Sequence, residues 1–247
     1  MEEISNRRIA LIMGPPAHGK SMSLRNLRSP ERKVVFNTDR KELPFKSKFK
    51  NVHINDPYEV LAYMDEIAKQ PDDVVDTIII DTITFLMDMF ETKYVVTATN
   101  TQTAWGAYAQ FYKQVMDKAL ASNKTVIVLA HEKKVMNESE MVLETKVPVK
   151  GSIGHTGVEA SFEVVLAAKK KAISKLEYLD KTPLLKNDDE EDLGMMYVFQ
   201  TKIDKDTLQE KMRSPLGMWK KEERFINNDI QNVIDRLNEY YAPVAYY

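Results

Sequence analysis

The densest chemical signal in this chain is the run Gly14-Pro15-Pro16-Ala17-His18-Gly19-Lys20-Ser21. Glycines stand where a backbone must turn tightly against a phosphate, a lysine follows that can reach the outer phosphates, and a hydroxyl comes next that suits a magnesium ion. Chance produces this spacing in on the order of one chain in a hundred. All eight residues are therefore read as nucleotide-binding, with Lys20 also catalytic and Ser21 also a metal ligand. A second signal is Asp81, which ends the apolar run Thr77-Ile78-Ile79-Ile80. A carboxylate there lies at the carboxyl edge of a buried strand, where open α/β sheets take their ligands. An aspartate after a strand also commonly caps a turn. Beside a phosphate-binding loop the metal role is the better reading, with Asp81 holding the ion through water and Ser21 touching it directly. Hydrolysis further needs a group that orients water. Asp39, after the run Lys33-Val34-Val35-Phe36-Asn37-Thr38, is preferred over Asp56 for that role, although it also suits a plain turn before Arg40-Lys41. His131 ends the run 126–130, where it can sense a terminal phosphate and relay it to the segment that follows.

These residues need strands and helices to hold them. Residues 8–13 form a short continuous apolar run, as expected for a strand buried on both faces, and it leads directly into the glycine motif. A helix is expected from Lys20 to Leu27, stopped before Pro30. Residues 33–39 and 51–54 read as further strands, and Asp56-Pro57 as the start of a helix through Lys69. Residues 76–81 and 124–131 are buried strands, and 104–121 a long helix between them. Strands alternating with helices in this way imply an α/β fold with a mostly parallel central sheet covered on both faces.

The pattern changes after His131. Residues 132–155 form a polar stretch with Gly151 and Gly154, longer than a routine connection. Three strand candidates follow, 163–168, 195–200 and 210–213, joined without helices, so antiparallel pairing is expected toward the C-terminus. The run 186–192 reads as an exposed acidic loop, and 229–241, apolar at Ile230, Val233, Ile234 and Leu237, as a one-faced helix. No repeat or linker divides the chain, so residues 1–247 are expected to form one domain.

Bulk properties narrow the chemistry. The chain has no cysteine, which excludes disulfides and thiolate sites, and its four histidines lack metal-ligand spacing, so any metal should be a hard ion held by oxygen. No apolar run approaches the roughly 20 residues that cross a bilayer, and the opening Met1-Glu2-Glu3-Ile4-Ser5 lacks a secretory core, so a cytoplasmic location with no membrane contact is expected. A formal net charge of -2 gives no basic field, so any contact with nucleic acid must come from local patches or from many subunits in line.

The phosphate loop, Ile78-Ile79-Ile80-Asp81-Thr82, Trp105-Gly106 in the long helix and Val128-Leu129-Ala130-His131 together resemble the RecA recombinase core. The likeness is strongest to the short RecA-like single-strand annealing ATPases of bacteriophages, the Sak class. It continues in Gly151-Ser152 and in Thr156-Gly157-Val158-Glu159-Ala160-Ser161-Phe162, similar to the helix after the second DNA loop of RecA, and in 199–202 and 211–215, similar to the closing strands. The resemblance implies a Mg²⁺-dependent ATPase that binds single-stranded DNA, promotes annealing in phage recombination and works in the host cytoplasm. It implies a homo-oligomeric ring or filament, with a single-strand binding protein as a further partner. It makes His131 the switch residue, and Asp39 the approximate counterpart of the family's catalytic glutamate, one methylene shorter. It also implies that Lys211 and Arg213 act catalytically across a subunit interface on a neighbour's γ-phosphate. Full recombinases carry an N-terminal docking segment, whereas this sequence has few residues before its first strand, which leaves the mode of assembly open.

For DNA, chemistry asks for cations on the phosphates and flat side chains under the bases. Lys133, Lys134, Lys146 and Lys150 are the DNA-binding candidates, opposed by Glu132, Glu138, Glu140 and Glu144. Residues 85–103 are a second candidate stretch, and Tyr108, Phe111 and Tyr112 read as core. Two other functions share the motif. One is a nucleotide-dependent switch such as a helicase loader. The other, a P-loop kinase, is disfavoured because 132–155 contains no arginine with which a lid would clamp phosphates.

Overall fold

A computed structural model describes residues 6–138, 141–179, 184–185 and 187–242. Residues 1–5, Glu140, Lys186 and the aromatic tail 243–247 lie outside the described residues. In chain order the strands are β1 (Ile9–Gly14), β2 (Lys33–Asn37), β3 (Lys50–His53), β4 (Thr77–Asp81) and β5 (Thr125–His131), then β6 (Lys133–Asn137), β7 (Val142–Lys146), β8 (Val164–Ala172), β9 (Met195–Gln200) and β10 (Phe225–Asn227). The helices are α1 (Pro57–Ala68), α2 (Ile83–Phe90), α3 (Thr101–Ala121), α4 (Gly151–Thr156), α5 (Ile173–Leu179), α6 (Asp188–Leu193) and α7 (Ile230–Tyr240).

Eight strands form one sheet in the order β10-β9-β8-β1-β5-β4-β2-β3. From β8 to β3 every pairing is parallel, while β9 pairs antiparallel with both β8 and β10. This is the expected mostly parallel sheet with antiparallel strands toward the C-terminus. β1 is buried along its whole length, and alternation divides its side chains between two cores. Ile9, Leu11 and Met13 pack toward α1, α2 and α3, while Ala10 and Ile12 pack toward Leu24, Leu27, Trp219 and α7. Both faces are therefore covered, which explains why the central strands read as continuous apolar runs. At the start of α1, Asp56 accepts from Tyr58 N at 3.0 Å, as its capping position requires. Tyr108, Phe111 and Tyr112 of α3 are buried, as core residues should be.

Five expectations are corrected. The helix expected over Lys20 to Leu27 is a single 3-10 turn, Ser21–Leu24, and Ser29, in the left-handed region at φ 50°, redirects the chain into Pro30. The stretch 132–155 contains a hairpin, β6–β7, and the short helix α4. The acidic run is a helix: the Asn187 side chain accepts from Glu190 N while Glu190 accepts from Asn187 N, a reciprocal cap that closes its first turn. Finally, residues 210–213 are not a strand. Glu210 and Arg213 make isolated bridges to Thr145 and Val165, and β10 supplies the edge strand instead. Helices α5 and α6 also lie between β8 and β9, so these strands are not joined directly.

Candidate functional site

Parallel register assembles the site. Gly14 at the end of β1 sits directly opposite His131 at the end of β5, and β4 pairs Asp81 with Leu129 of β5 on one side and with Asn37 of β2 on the other. The carboxyl ends of β1, β5, β4 and β2 thus converge on one edge, where a parallel sheet opens to solvent. The phosphate loop leaves this edge. A Cβ on Gly14 would lie 2.8 Å from the Ala168 carbonyl oxygen, so only glycine lets β1 pass β8 at that point. Gly19 has φ +80° and faces Asn228 and Tyr197 at contact distance, so a side chain there would meet both strain and obstruction.

Lys20 folds back into the loop that carries it. Its Nζ donates to the carbonyls of Gly14 and Pro15, each at 2.8 Å, and lies 3.4 Å from Nδ1 of His131. The residue is only 6% exposed, and burial lowers its ammonium from 10.5 to about 8, against the pull of Asp81 and Glu132. His131 is lowered to about 4, first by burial and then by the Lys20 charge, so it is neutral near pH 7 and presents Nδ1 to the ammonium as an acceptor. Thr84 Oγ1 accepts from His131 N at 3.0 Å, and the imidazole meets Phe85 edge-to-face at 5.0 Å. The histidine therefore links β5 to α2 as well as to the lysine.

Asp81 is also buried, and its carboxyl is raised above the ordinary range by desolvation, with Asp39 adding to the rise. A hydrogen bond from the Ser21 hydroxyl and the charge of Lys20 act in the opposite direction. Just behind it, Thr38 Oγ1 donates to Thr82 O at 2.8 Å and accepts from Thr82 N at 2.9 Å, locking the end of β2 to the end of β4. That brace holds Asp39 at the same edge. Asp39 also caps its own turn by accepting from Lys41 N at 2.9 Å, so the structural and the site-facing readings coexist in one residue. Asp56, the rejected alternative, is bound by Tyr58, Lys93 and Tyr94.

Lys20, Ser21, Asp39, Asp81 and His131 line a single cleft of about 1060 Å³, together with Pro16, Ala17 and Gly19 of the loop. A carboxylate bonded to a hydroxyl beside a cation offers the hard oxygen donors that magnesium takes, so Ser21 and Asp81 fit that ion. Other lining residues were not legible as part of the site: Leu185, Asn187 and Leu193 from the acidic helix region, Tyr197 of β9, and Asn228 and Asn232 near α7. Glu132 was also missed as a site neighbour. It is half-buried, its carboxyl is raised by desolvation, and it interacts with Lys20, Lys169 and Glu210; only its place next to His131 hinted at this.

The remaining candidates are dispersed. Lys133 stands opposite Lys146 across the hairpin, Lys134 stands opposite Thr145, and Lys150 is paired with Glu91 at 2.7 Å. Lys211 is half exposed and paired with Glu144 at 3.3 Å. Arg213 caps a turn: its Nε donates to Phe162 O at 2.7 Å, and its Nη2 to Glu159 O and Ala160 O, each at 2.8 Å. A strand over 210–213 would have set Lys211 and Arg213 on one face by its period of two; instead they are two separate, locally engaged cations.

Residues 6–186 match a protein family described as an AAA domain. No curated protein matches the chain. Among solved structures, the crystal structure of the RadB recombinase is similar, with 16% identity, covering 67% of this chain and 76% of that chain, at a TM-score of 0.41. Among the described residues no helix is long and apolar enough to cross a membrane.

Proposed function

The chain belongs to the AAA-domain family of P-loop proteins, and from that premise we propose that it binds and hydrolyses ATP with magnesium and couples the nucleotide to single-stranded DNA. The observation that carries the nucleotide reading is the meeting of Lys20, Ser21, Asp81, Asp39 and His131 in one cleft at the end of β1. The loop backbone cradles the phosphates, and Lys20 swings from the Gly14 and Pro15 carbonyls to the anion, exchanging two neutral acceptors for charged ones. Ser21 and Asp81 hold the magnesium ion, which when bound neutralises charge on the phosphate oxygens. Asp39, at the mouth of the same edge, orients the attacking water. Its short side chain needs the Thr38–Thr82 brace to hold it in reach.

His131 carries the state of the site outward. Its ring touches Lys20 on one side and Phe85 on the other, and one residue later the chain enters the β6–β7 hairpin. When Lys20 leaves for a phosphate, His131 loses that contact and the hairpin root is released from one constraint. The DNA reading is supported by the hairpin itself, because Lys133 directly opposite Lys146 is a like-charge pair that an anion would relieve. Lys134 and Lys150 complete the proposed strand-binding set, with Lys150 first giving up Glu91. In this proposal the chain is a homo-oligomer of the phage single-strand annealing class, with a single-strand binding protein as a further partner, and Lys211 is the cation best placed to act on a neighbouring copy. Arg213 is assigned to the fold instead, because its guanidinium is spent on three carbonyls.

The test is phosphate release from Mg-ATP with and without single-stranded DNA. Stimulation by DNA is the expected result. ATP turnover that is indifferent to DNA would instead favour a switch such as a helicase loader, and a phosphorylated small-molecule product would favour a kinase.

A further inference from the structure

One polar group in the cleft has no use in the phosphate chemistry. Asn228 follows β10, is only 5% exposed, and neither Nδ2 nor Oδ1 has a hydrogen-bond partner among the described residues. Its neighbours are all engaged. Asn227 exchanges both amide bonds with the backbone of Leu185, at 2.7 and 3.2 Å. Asp229 caps α7 through Gln231 N at 2.9 Å and accepts from Asn26 at 2.8 Å. A buried amide with both ends unpaired costs stability in the free protein, and its place in the cleft points to a ligand that satisfies it.

Its position identifies which part of a nucleotide that is. Asn228 lines the same cleft as the phosphate loop, and a Cβ built on Gly19 would lie 2.9 Å from its Oδ1 and 3.2 Å from the Tyr197 ring. Phosphate oxygens only accept, so they could pair with Nδ2 but would leave Oδ1 orphaned. Oδ1 needs a donor. A nucleoside offers donors and acceptors side by side, in the ribose hydroxyls and in the amino-purine edge. Tyr197, Leu185 and Leu193, which line the same cleft, supply apolar surface that a sugar or base would cover.

Building on the nucleotide reading above, we propose that Asn228 is the specificity-determining residue for the nucleoside half of the ligand, its carboxamide pairing with a joint donor–acceptor edge of the sugar or the base. Gly19 is then glycine for a second reason, since any side chain there would displace the reading amide.

The experiment measures equilibrium binding of Mg-ATP, Mg-GTP, Mg-2′-deoxyATP and inorganic tripolyphosphate to the wild type, to Asn228→Ala and to Asn228→Leu, the last keeping the branched shape, somewhat larger, without polar atoms. ATP binding is expected to weaken by about 10- to 100-fold in both variants, the effect of losing a paired buried amide. Tripolyphosphate, which presents only acceptors, should bind all three proteins equally and so report an intact loop. The wild type should favour ATP over GTP by about tenfold if the base is read, or over 2′-deoxyATP if the sugar is read, and this preference should vanish in the variants. Unchanged ATP affinity in the variants, equal loss of tripolyphosphate, or a wild type that binds all three nucleotides alike would each overturn the proposal. Failure of the wild type to bind tripolyphosphate and ATP at all would instead remove the nucleotide reading on which it rests.

Discussion

Lys20→Met should make the stability of the free protein less dependent on alkaline pH. In the fold the ammonium is lowered from 10.5 to about 8, chiefly by burial. The charged form is therefore disfavoured by folding, and at pH 7 the wild type carries that penalty in full. As pH rises above 8 the folded protein releases the proton first while the unfolded chain still holds it, so folding stability increases until about pH 10.5. The difference corresponds to about 3 kcal/mol at most. Partial relaxation of the loop reduces the observable part to about 1–3 kcal/mol. Methionine has no proton to lose, so the variant lacks this contribution, and groups that titrate between pH 8 and 10 without feeling the Lys20 charge cancel when the two proteins are compared. At neutral pH the variant should be nearly as stable as the wild type, because it avoids the buried charge while losing the bonds to Gly14 and Pro15. Urea unfolding at pH 7, 8, 9 and 10 measures both effects. A wild-type stability that fails to gain on the variant between pH 8 and 10 would mean that Lys20 is not held buried and charged in the free protein, and the loop geometry described above would be wrong.

Other outcomes follow from the same contacts. Asp81→Asn should weaken magnesium dependence and turnover more than nucleotide binding, because the loop backbone still grips the phosphates; a collapse of ADP affinity with turnover per bound ATP preserved would contradict the metal role. Arg213→Ala should cost about 2–4 kcal/mol in urea unfolding, since three carbonyls lose a charged donor. If that variant kept full stability, lost hydrolysis and regained it when mixed with a Lys20→Ala chain, the cross-subunit role would return. Replacing Lys133, Lys134 and Lys146 together should lower single-strand affinity and flatten its salt dependence while basal ATPase persists, and an unchanged slope would remove the hairpin from the DNA path.

The phosphate loop was legible because its chemistry needs fixed residue types at consecutive positions, and Asp81 because a strand buried on both faces leaves an apolar run that a carboxylate visibly ends. Helix α1 was legible from Asp56-Pro57, where capping and first-turn preferences coincide. What the sequence concealed was adjacency. Lys20 and His131 lie 111 residues apart and meet only because β1 and β5 pair, and nothing local in either segment encodes strand order. The C-terminal contribution to the cleft lining was concealed for a different reason. A run of five acidic residues looks solvated, yet Asn187 caps it and Glu190 turns inward to accept from Tyr197 N at 3.0 Å. Likewise, period-two spacing placed Lys211 and Arg213 on a strand, whereas Arg213 is held by turn carbonyls that no spacing announces.

If the cleft at the end of β1 binds and hydrolyses ATP through Lys20, steady-state phosphate release from Mg-ATP by the wild type and by Lys20→Ala will show it, with circular dichroism confirming that both are folded. Turnover is expected in the wild type and its loss in the variant, because no other cation among the cleft residues stands inside the loop. Equal turnover in the two proteins would contradict it.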